Sequence, residues 1–271
     1  MRKLALHQAT TRDWTLEQDL RGCKQAGYDG IGIFVEFLHK FIERDRVEAI
    51  KLVKESGLQV SDVAGARLFE IDERGCPRPR IDETRALVDL ARDLEAESLL
   101  VIFGPGGRQR MDDIWRLSLD VIAAILPYAE EQGVRLGIEP MHPVYMPEWS
   151  ICNTIEDTLW VLDQFPSPNL GIILDAWHIW WEKDLFALID RCRGRIAGVH
   201  LCDWRAATRS ILNERTLPGE GVIPLREFCH AVEAAGWIGC WDIEIFSEQH
   251  WSEDYDDVLR RCKHWFESVW S

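Results

Sequence analysis

Short apolar runs recur along the chain, and between them lie longer stretches in which apolar residues return every three or four positions. The short runs predict strands at 4–9, 30–36, 59–65, 98–104, 135–140, 170–176, 196–203 and 240–246. Several are apolar throughout, as strands covered on both faces are. The longer stretches predict helices at 14–26, 47–56, 82–94, 112–132, 153–163, 184–192, 224–235 and 254–270. In the first of these, Trp14, Leu16, Leu20, Cys23 and Ala26 form the apolar or small positions. Asn153 or Thr154 is a natural N-cap for the fifth. Gly27, Gly57, Gly133 and Gly236 each stand between a helix and the next strand, where a helix end favours glycine.

Eight strands alternating with eight helices predict a parallel α/β fold. The count fits a closed (β/α)8 TIM barrel, for which the 271 residues are sufficient. No linker, low-complexity tract or shift in composition interrupts the chain, so one domain is expected over 1–271. An open doubly wound sheet is the alternative. It normally carries a glycine-rich phosphate loop after the first strand, and here that position reads His7-Gln8-Ala9-Thr10.

The net charge of −15 argues against a nucleic-acid partner, because Lys and Arg must dominate a face that grips phosphates. No apolar stretch approaches the roughly 18 residues of a membrane span. The start of the chain reads as a first strand rather than a signal peptide. The eight cysteines are scattered, without a C-x-x-C pair, and Cys202 and Cys240 sit inside strand-like runs. They are expected to be reduced, mostly buried thiols of a cytoplasmic protein.

Four of the strand-like runs end in a group able to bind a metal: Leu136-Gly137-Ile138-Glu139, Ile172-Ile173-Leu174-Asp175, Ala197-Gly198-Val199-His200 and Trp241-Asp242-Ile243-Glu244. A carboxylate has no use inside a buried strand, where an unpaired charge is costly. At a strand's C-terminal end it faces the cleft in which barrels of this kind keep their active sites. Glu139, Asp175, His200 and Glu244 end the fifth to eighth strands, which are neighbours in a barrel, so they can meet around one divalent cation. Three carboxylates and one imidazole suit Mn²⁺ foremost, or Mg²⁺ or Co²⁺; Zn²⁺ accepts the same donors.

This pattern resembles the xylose-isomerase-like barrel superfamily. It looks most like its sugar isomerases and epimerases: ketose 3-epimerases, hydroxypyruvate isomerases and inosose dehydratases. The matching pieces are Gly137-Ile138-Glu139-Pro140, Leu174-Asp175-Ala176-Trp177-His178, Val199-His200-Leu201-Cys202-Asp203, Pro218-Gly219-Glu220-Gly221 and Ile243-Glu244. The resemblance implies that Glu139 and Glu244 both hold the metal and shuttle protons through an enediolate of a ketose or keto-sugar. It implies that His178 binds a substrate oxygen.

His142 is a further candidate base. Arg205, with Arg209 nearby, stands where ketose 3-epimerases carry an arginine, but Asp203-Trp204-Arg205 does not align cleanly with them. The His200–Asp203 spacing is closer to the inosose dehydratase branch. A metal-dependent lyase, dehydrating or β-eliminating a 3-keto sugar or C-glycoside, is therefore the alternative to an isomerase or epimerase. Glu36 and His7 end the second and first strands and are candidates to reach the substrate. Trp177 leads a cluster with Trp180 and Trp181 that could wall the sugar. Abasic-site endonucleases share the superfamily fold, but the charge and the single ligand set speak against them. A homo-oligomer or an accessory subunit is left open.

Overall fold

All eight expected strands form in the computed structural model, which describes residues 2–35, 40, 45–208 and 210–271. They are β1 (Lys3–His7), β2 (Gly30–Phe34), β3 (Gln59–Arg67), β4 (Leu99–Ile102), β5 (Leu136–Ile138), β6 (Leu170–Asp175), β7 (Ile196–Leu201) and β8 (Cys240–Ile243). Each pairs in parallel with its neighbours in the chain, and β8 closes on β1. The sheet is therefore a closed barrel and not the open alternative.

Eight helices cover its outside: α1 (Leu16–Ala26), α2 (Arg46–Ser56), α3 (Ile81–Leu94), α4 (Met111–Gln132), α5 (Ile155–Gln164), α6 (Leu185–Arg191), α7 (Leu225–Ala234) and α8 (Tyr255–Ser268). Their ends follow local chemistry. Thr15 and Gln18 close a capping box on α1, and Gly27 ends it with φ 74°, a conformation that favours glycine. Thr154, one of the two expected caps, receives the Asp157 N–H at the start of α5. Leu6, Ile172 and Leu174 on the strands, and Ile125, Phe228 and Val258 on the helices, are fully buried between the two layers.

Three features depart from the expected elements. The strand drawn to residue 203 stops at Leu201, and Asp203–Trp204 begins a separate antiparallel hairpin with Arg215–Thr216. Phe69–Ile71 pairs with Pro77–Pro79 in a second hairpin. A helical turn, Ala176–Ile179, follows β6 directly. These pieces are too short to show a period in the sequence.

The inside of the barrel explains two strand glycines. A Cβ on Gly137 would fall 2.6 Å from Ile173, and one on Gly198 would fall 3.1 Å from it. Ile173 fills the space those glycines leave. None of the eight cysteines is in a disulfide, and all but Cys76 are buried. Among the described residues no helix is long and apolar enough to cross a membrane.

Candidate metal centre and active site

Side chains alternate along a strand, so residues two apart share a face. One step beyond Gly137, Ile173 and Gly198 on the same faces stand Glu139, Asp175 and His200. Asp175 and His200 are direct partners in the β6–β7 ladder, and His200 is paired with Asp242 on β8. Glu139 and Glu244 lie just past β5 and β8, with their N–H groups bonded to Val101 and Leu201 on the adjacent strands. All four expected ligands are buried.

Glu139, Asp175 and His200 each bring a ligand atom within 4.8 Å of the others. His200 Nδ1 lies 3.6 Å from Glu139 Oε1 and 3.8 Å from Glu244 Oε2. The other ring nitrogen, Nε2, is 2.8 Å from Asp62 Oδ2. A hydrogen bond there fixes the tautomer and turns the Nδ1 lone pair toward the two glutamates. Glu139 Oε1 and His200 Nδ1 are buried atoms with no hydrogen-bond partner. Orphaned acceptors on a carboxylate and an imidazole fit a divalent cation, which would complete both.

Asp175 also builds the next piece. Its Oδ1 caps the turn Ala176–Ile179 by accepting the Trp177 N–H at 2.8 Å. The turn brings His178 back over the same carboxylate, with Nε2 3.4 Å from Asp175 Oδ2 and 3.9 Å from Glu139 Oε2. His178 Nδ1 accepts the His142 backbone N–H at 3.0 Å. A neutral ring so held carries its hydrogen on Nε2, which stands between Asp175 Oδ2 and the Arg215 Nη2 3.3 Å away.

The arginine at this site is Arg215, not Arg205. Its Nη1 donates to Glu244 Oε2 at 2.8 Å and to Asp175 Oδ2 at 3.2 Å, while the guanidinium lies between the rings of Trp177 and Phe246. Arg205 is half-buried and does not line the cavity. The hairpin reverses the chain, so its second arm rather than its first delivers the charge. His142 is likewise displaced: its Nδ1 accepts the Val144 N–H and its ring packs among Trp177, Trp181 and Trp204, outside the cavity. Trp177 stacks on Trp204 at 4.6 Å and underlies Arg215 instead of walling the cavity. His7 is fully buried behind Glu244, with Nδ1 3.4 Å from its Oε1. Glu36 and Arg209 lie outside the described residues. Asp203 staples the loop below the hairpin, accepting the N–H groups of Gly219, Gly221 and Ile223.

Above these groups opens a cavity of about 320 Å³. Glu139, His178, Arg215 and Glu244 supply charge and hydrogen bonds to it, and Phe34, Tyr145, Trp149, Phe246 and Trp251 supply aromatic surface. Burial dominates the electrostatics. It pushes the Glu139 carboxyl up to about 7, helped by the negative charges of Glu244 and Asp175. It pushes Asp175 up to about 6, against the pull of Arg215. Burial acts on Glu244 in the same direction, but the facing His7, His200 and Arg215 outweigh it and hold that carboxyl down at about 2. Burial and Arg215 push His178 well down, so it is neutral.

Three site residues escaped the sequence reading. Arg215 gave no local signal, since it sits in a loop-like stretch. Asp62 and Asp242 did give one: each is an ionisable residue inside an apolar strand, and Asp242 is two residues before Glu244.

The model of the xylose isomerase-like TIM barrel family matches residues 20–266. The chain is 23% identical to a fructoselysine 3-epimerase of Shigella flexneri over 85% of each chain. It is 26% identical to a 3-dehydroshikimate dehydratase of Pseudomonas putida, over 86% of this chain and 36% of that longer enzyme. Among solved structures, protein SMc04130 of Sinorhizobium meliloti 1021 superposes with a TM-score of 0.89 and 29% identity, covering 98% of both chains. An IOLI protein solved with a bound zinc atom superposes with a TM-score of 0.82 at 20% identity, covering 98% of this chain and 97% of that one.

Proposed function

Because the chain belongs to the xylose isomerase-like TIM barrel family, we propose that it is an enzyme that moves a proton beside the carbonyl of a ketose or keto-sugar, as a divalent-metal-dependent isomerase or epimerase. The observation that carries this reading is the convergence of Glu139, Asp175 and His200, two of them with orphaned ligand atoms, beneath the cavity that Glu139 and Glu244 both line. A divalent cation held by Glu139, Asp175, His200 and Glu244 would supply Lewis acidity toward substrate oxygens. Mn²⁺ suits a set richer in oxygen than nitrogen, and the zinc of the IOLI protein makes Zn²⁺ the first rival to test.

The remaining work falls to side chains. Glu139 and Glu244 both line the cavity, and they form the acid–base pair: one removes the proton next to the carbonyl and the other returns one. Return to the same carbon on its other face gives epimerisation; return to the neighbouring carbon gives isomerisation. His178 presents its Nε2–H to a substrate oxygen, and Arg215 adds positive charge beside the enediolate.

A lyase shares the first step and then expels a leaving group. The likeness to a 3-dehydroshikimate dehydratase supports it as the second reading. Incubation of ketoses and 3-keto glycosides with Mn²⁺-loaded protein in D₂O separates the two. Deuterium beside the carbonyl with the carbon skeleton intact is the expected result. Loss of water or of an aglycone assigns the lyase. An absence of exchange on the whole panel overturns both readings.

A further inference from the structure

The cavity over the site is divided by chemistry. Glu139, His178, Arg215 and Glu244 all enter it from the β5–β8 half of the barrel. The opposite wall is Phe34 on β2, Ala64 and Ala66 on β3, and Leu100 and Ile102 on β4. Among the described residues that wall offers a ligand no side-chain donor or acceptor. A sugar hydroxyl pressed against it would lose its hydrogen bonds to water and gain none there, which is costly. An apolar group would gain by leaving water at the same place.

The wall also leaves room. β3 slips by one residue against β4 between Ala64 and Ala66, and Gly65 bulges there with φ 131°. Three consecutive small residues, Ala64, Gly65 and Ala66, therefore border the cavity. Phe34, in edge contact with Phe246 at 5.8 Å, and Trp149 bring aromatic surface to it. Positive charge is committed elsewhere. Among the described residues no lysine lines the cavity, and each of its two arginines already faces two carboxylates. Arg215 donates to Glu244 and Asp175, and Arg12 pairs with Asp13 at 3.2 Å and with Glu248 at 3.8 Å while lying over Trp251. A phosphate group would find no uncommitted lysine or arginine among the described residues.

We propose that the substrate is an unphosphorylated keto-sugar carrying an aryl substituent, with the aryl ring against the β2–β4 wall and the carbonyl end over Glu139 and Glu244. This substrate class belongs to the proton-transfer reaction proposed above and rests on it. A planar ring suits a slot bordered by alanine and glycine. Its burial supplies binding that the apolar wall cannot draw from hydroxyl groups, and the neighbouring aromatic faces orient it.

Four compounds test this on full-length, Mn²⁺-loaded protein: the phenyl and methyl 3-keto-glucosides, fructose and fructose 6-phosphate. Binding is read from tryptophan fluorescence, since Trp149 and Trp251 line the cavity, and proton transfer from deuterium uptake in D₂O. The phenyl compound is expected to bind about 10–100-fold more tightly than the methyl one and to exchange with the highest kcat/KM. Ala64→Leu, which fills the slot, should bring the phenyl-to-methyl affinity ratio down toward one. Phe34→Ala, which removes an aromatic face, should lower it as well. Tight phenyl binding without exchange on any compound overturns the proton-transfer reading and leaves the aryl site standing. Exchange as efficient on the methyl compound or fructose as on the phenyl compound, or best on fructose 6-phosphate, overturns the aryl substrate and leaves the reaction. An affinity ratio near one in the wild type, or unchanged in both variants, overturns the aryl substrate too.

Discussion

Three strands of the barrel, β5, β6 and β7, each contribute two successive inward-facing residues, and the two layers they make are chemically opposite. The lower layer is Gly137, Ile173 and Gly198, where one branched side chain fills the space left by two glycines. The upper layer, two residues further along, is Glu139, Asp175 and His200, all buried, with an atom of Glu139 and one of His200 lacking a hydrogen-bond partner. The backbone is continuous and the faces are the same. What changes is where each residue stands along the strand: below, it can only pack; above, it joins the ionisable groups beneath the cavity. The comparison teaches that stability and chemistry are stacked within single strands, about 7 Å apart along each, and should respond separately to substitution.

The largest effect is expected in the upper layer. Glu139→Gln and Glu244→Gln should each lower kcat/KM on the best keto-sugar by about 10²–10⁴-fold, while circular dichroism of the metal-free protein stays close to wild type and Glu244→Gln, which leaves buried Arg215 with one carboxylate fewer, melts lower. Steady-state kinetics beside thermal melting checks this, and a large loss of fold in either variant would merge the two layers. In the lower layer, Ile173→Ala should do the reverse. It leaves a cavity at the barrel centre and should cost about 2–5 kcal/mol of stability, read by urea unfolding, with the bound-metal content of the folded fraction unchanged.

Asp62→Asn sharpens the boundary between the layers. Removing the carboxylate that holds His200 Nε2 should weaken rim-metal affinity by about 10–100-fold, measured by competition with a metal-binding dye. A smaller and opposite pair of slopes is expected against pH. Without metal, Glu139 is pushed up to about 7 and Asp175 to about 6. Acids raised in this way contribute stability that is present at low pH and lost as pH rises through those values. The metal-free protein should therefore melt higher near about pH 5 than near about pH 8. Glu244, held down at about 2, works the other way only at lower pH, where its contribution is lost as it protonates. Loaded protein should show the reverse slope between these pH values, because the ion binds deprotonated carboxylates. Melting curves of both forms across that range decide it.

Much of the site was legible because it follows strand grammar. Glu139, Asp175, His200 and Glu244 could be picked out as ionisable residues closing apolar runs, and the structure brings the first three within ligand distance of one another. His178 was legible through its spacing from Asp175, which the helical turn converts into a 3.4 Å contact. Arg205 stands where the resemblance to ketose 3-epimerases places an arginine, but a two-stranded hairpin brings Arg215 to the site instead. His142 is close to Glu139 in sequence, yet its backbone, not its ring, reaches His178.

The sequence by itself determined the alternation of eight strands and eight helices, the barrel it implies, and the residues at the strand ends. These depend on local periodicity and on the cost of charge inside an apolar run, and both are written in consecutive residues. Only the tertiary structure decided which oxygen faces which nitrogen. It turned Asp62 toward His200 across 138 positions of chain, laid Arg215 between Asp175 and Glu244, and set Asp242 beneath them. Those pairings depend on barrel closure and register, which join residues that no local pattern relates.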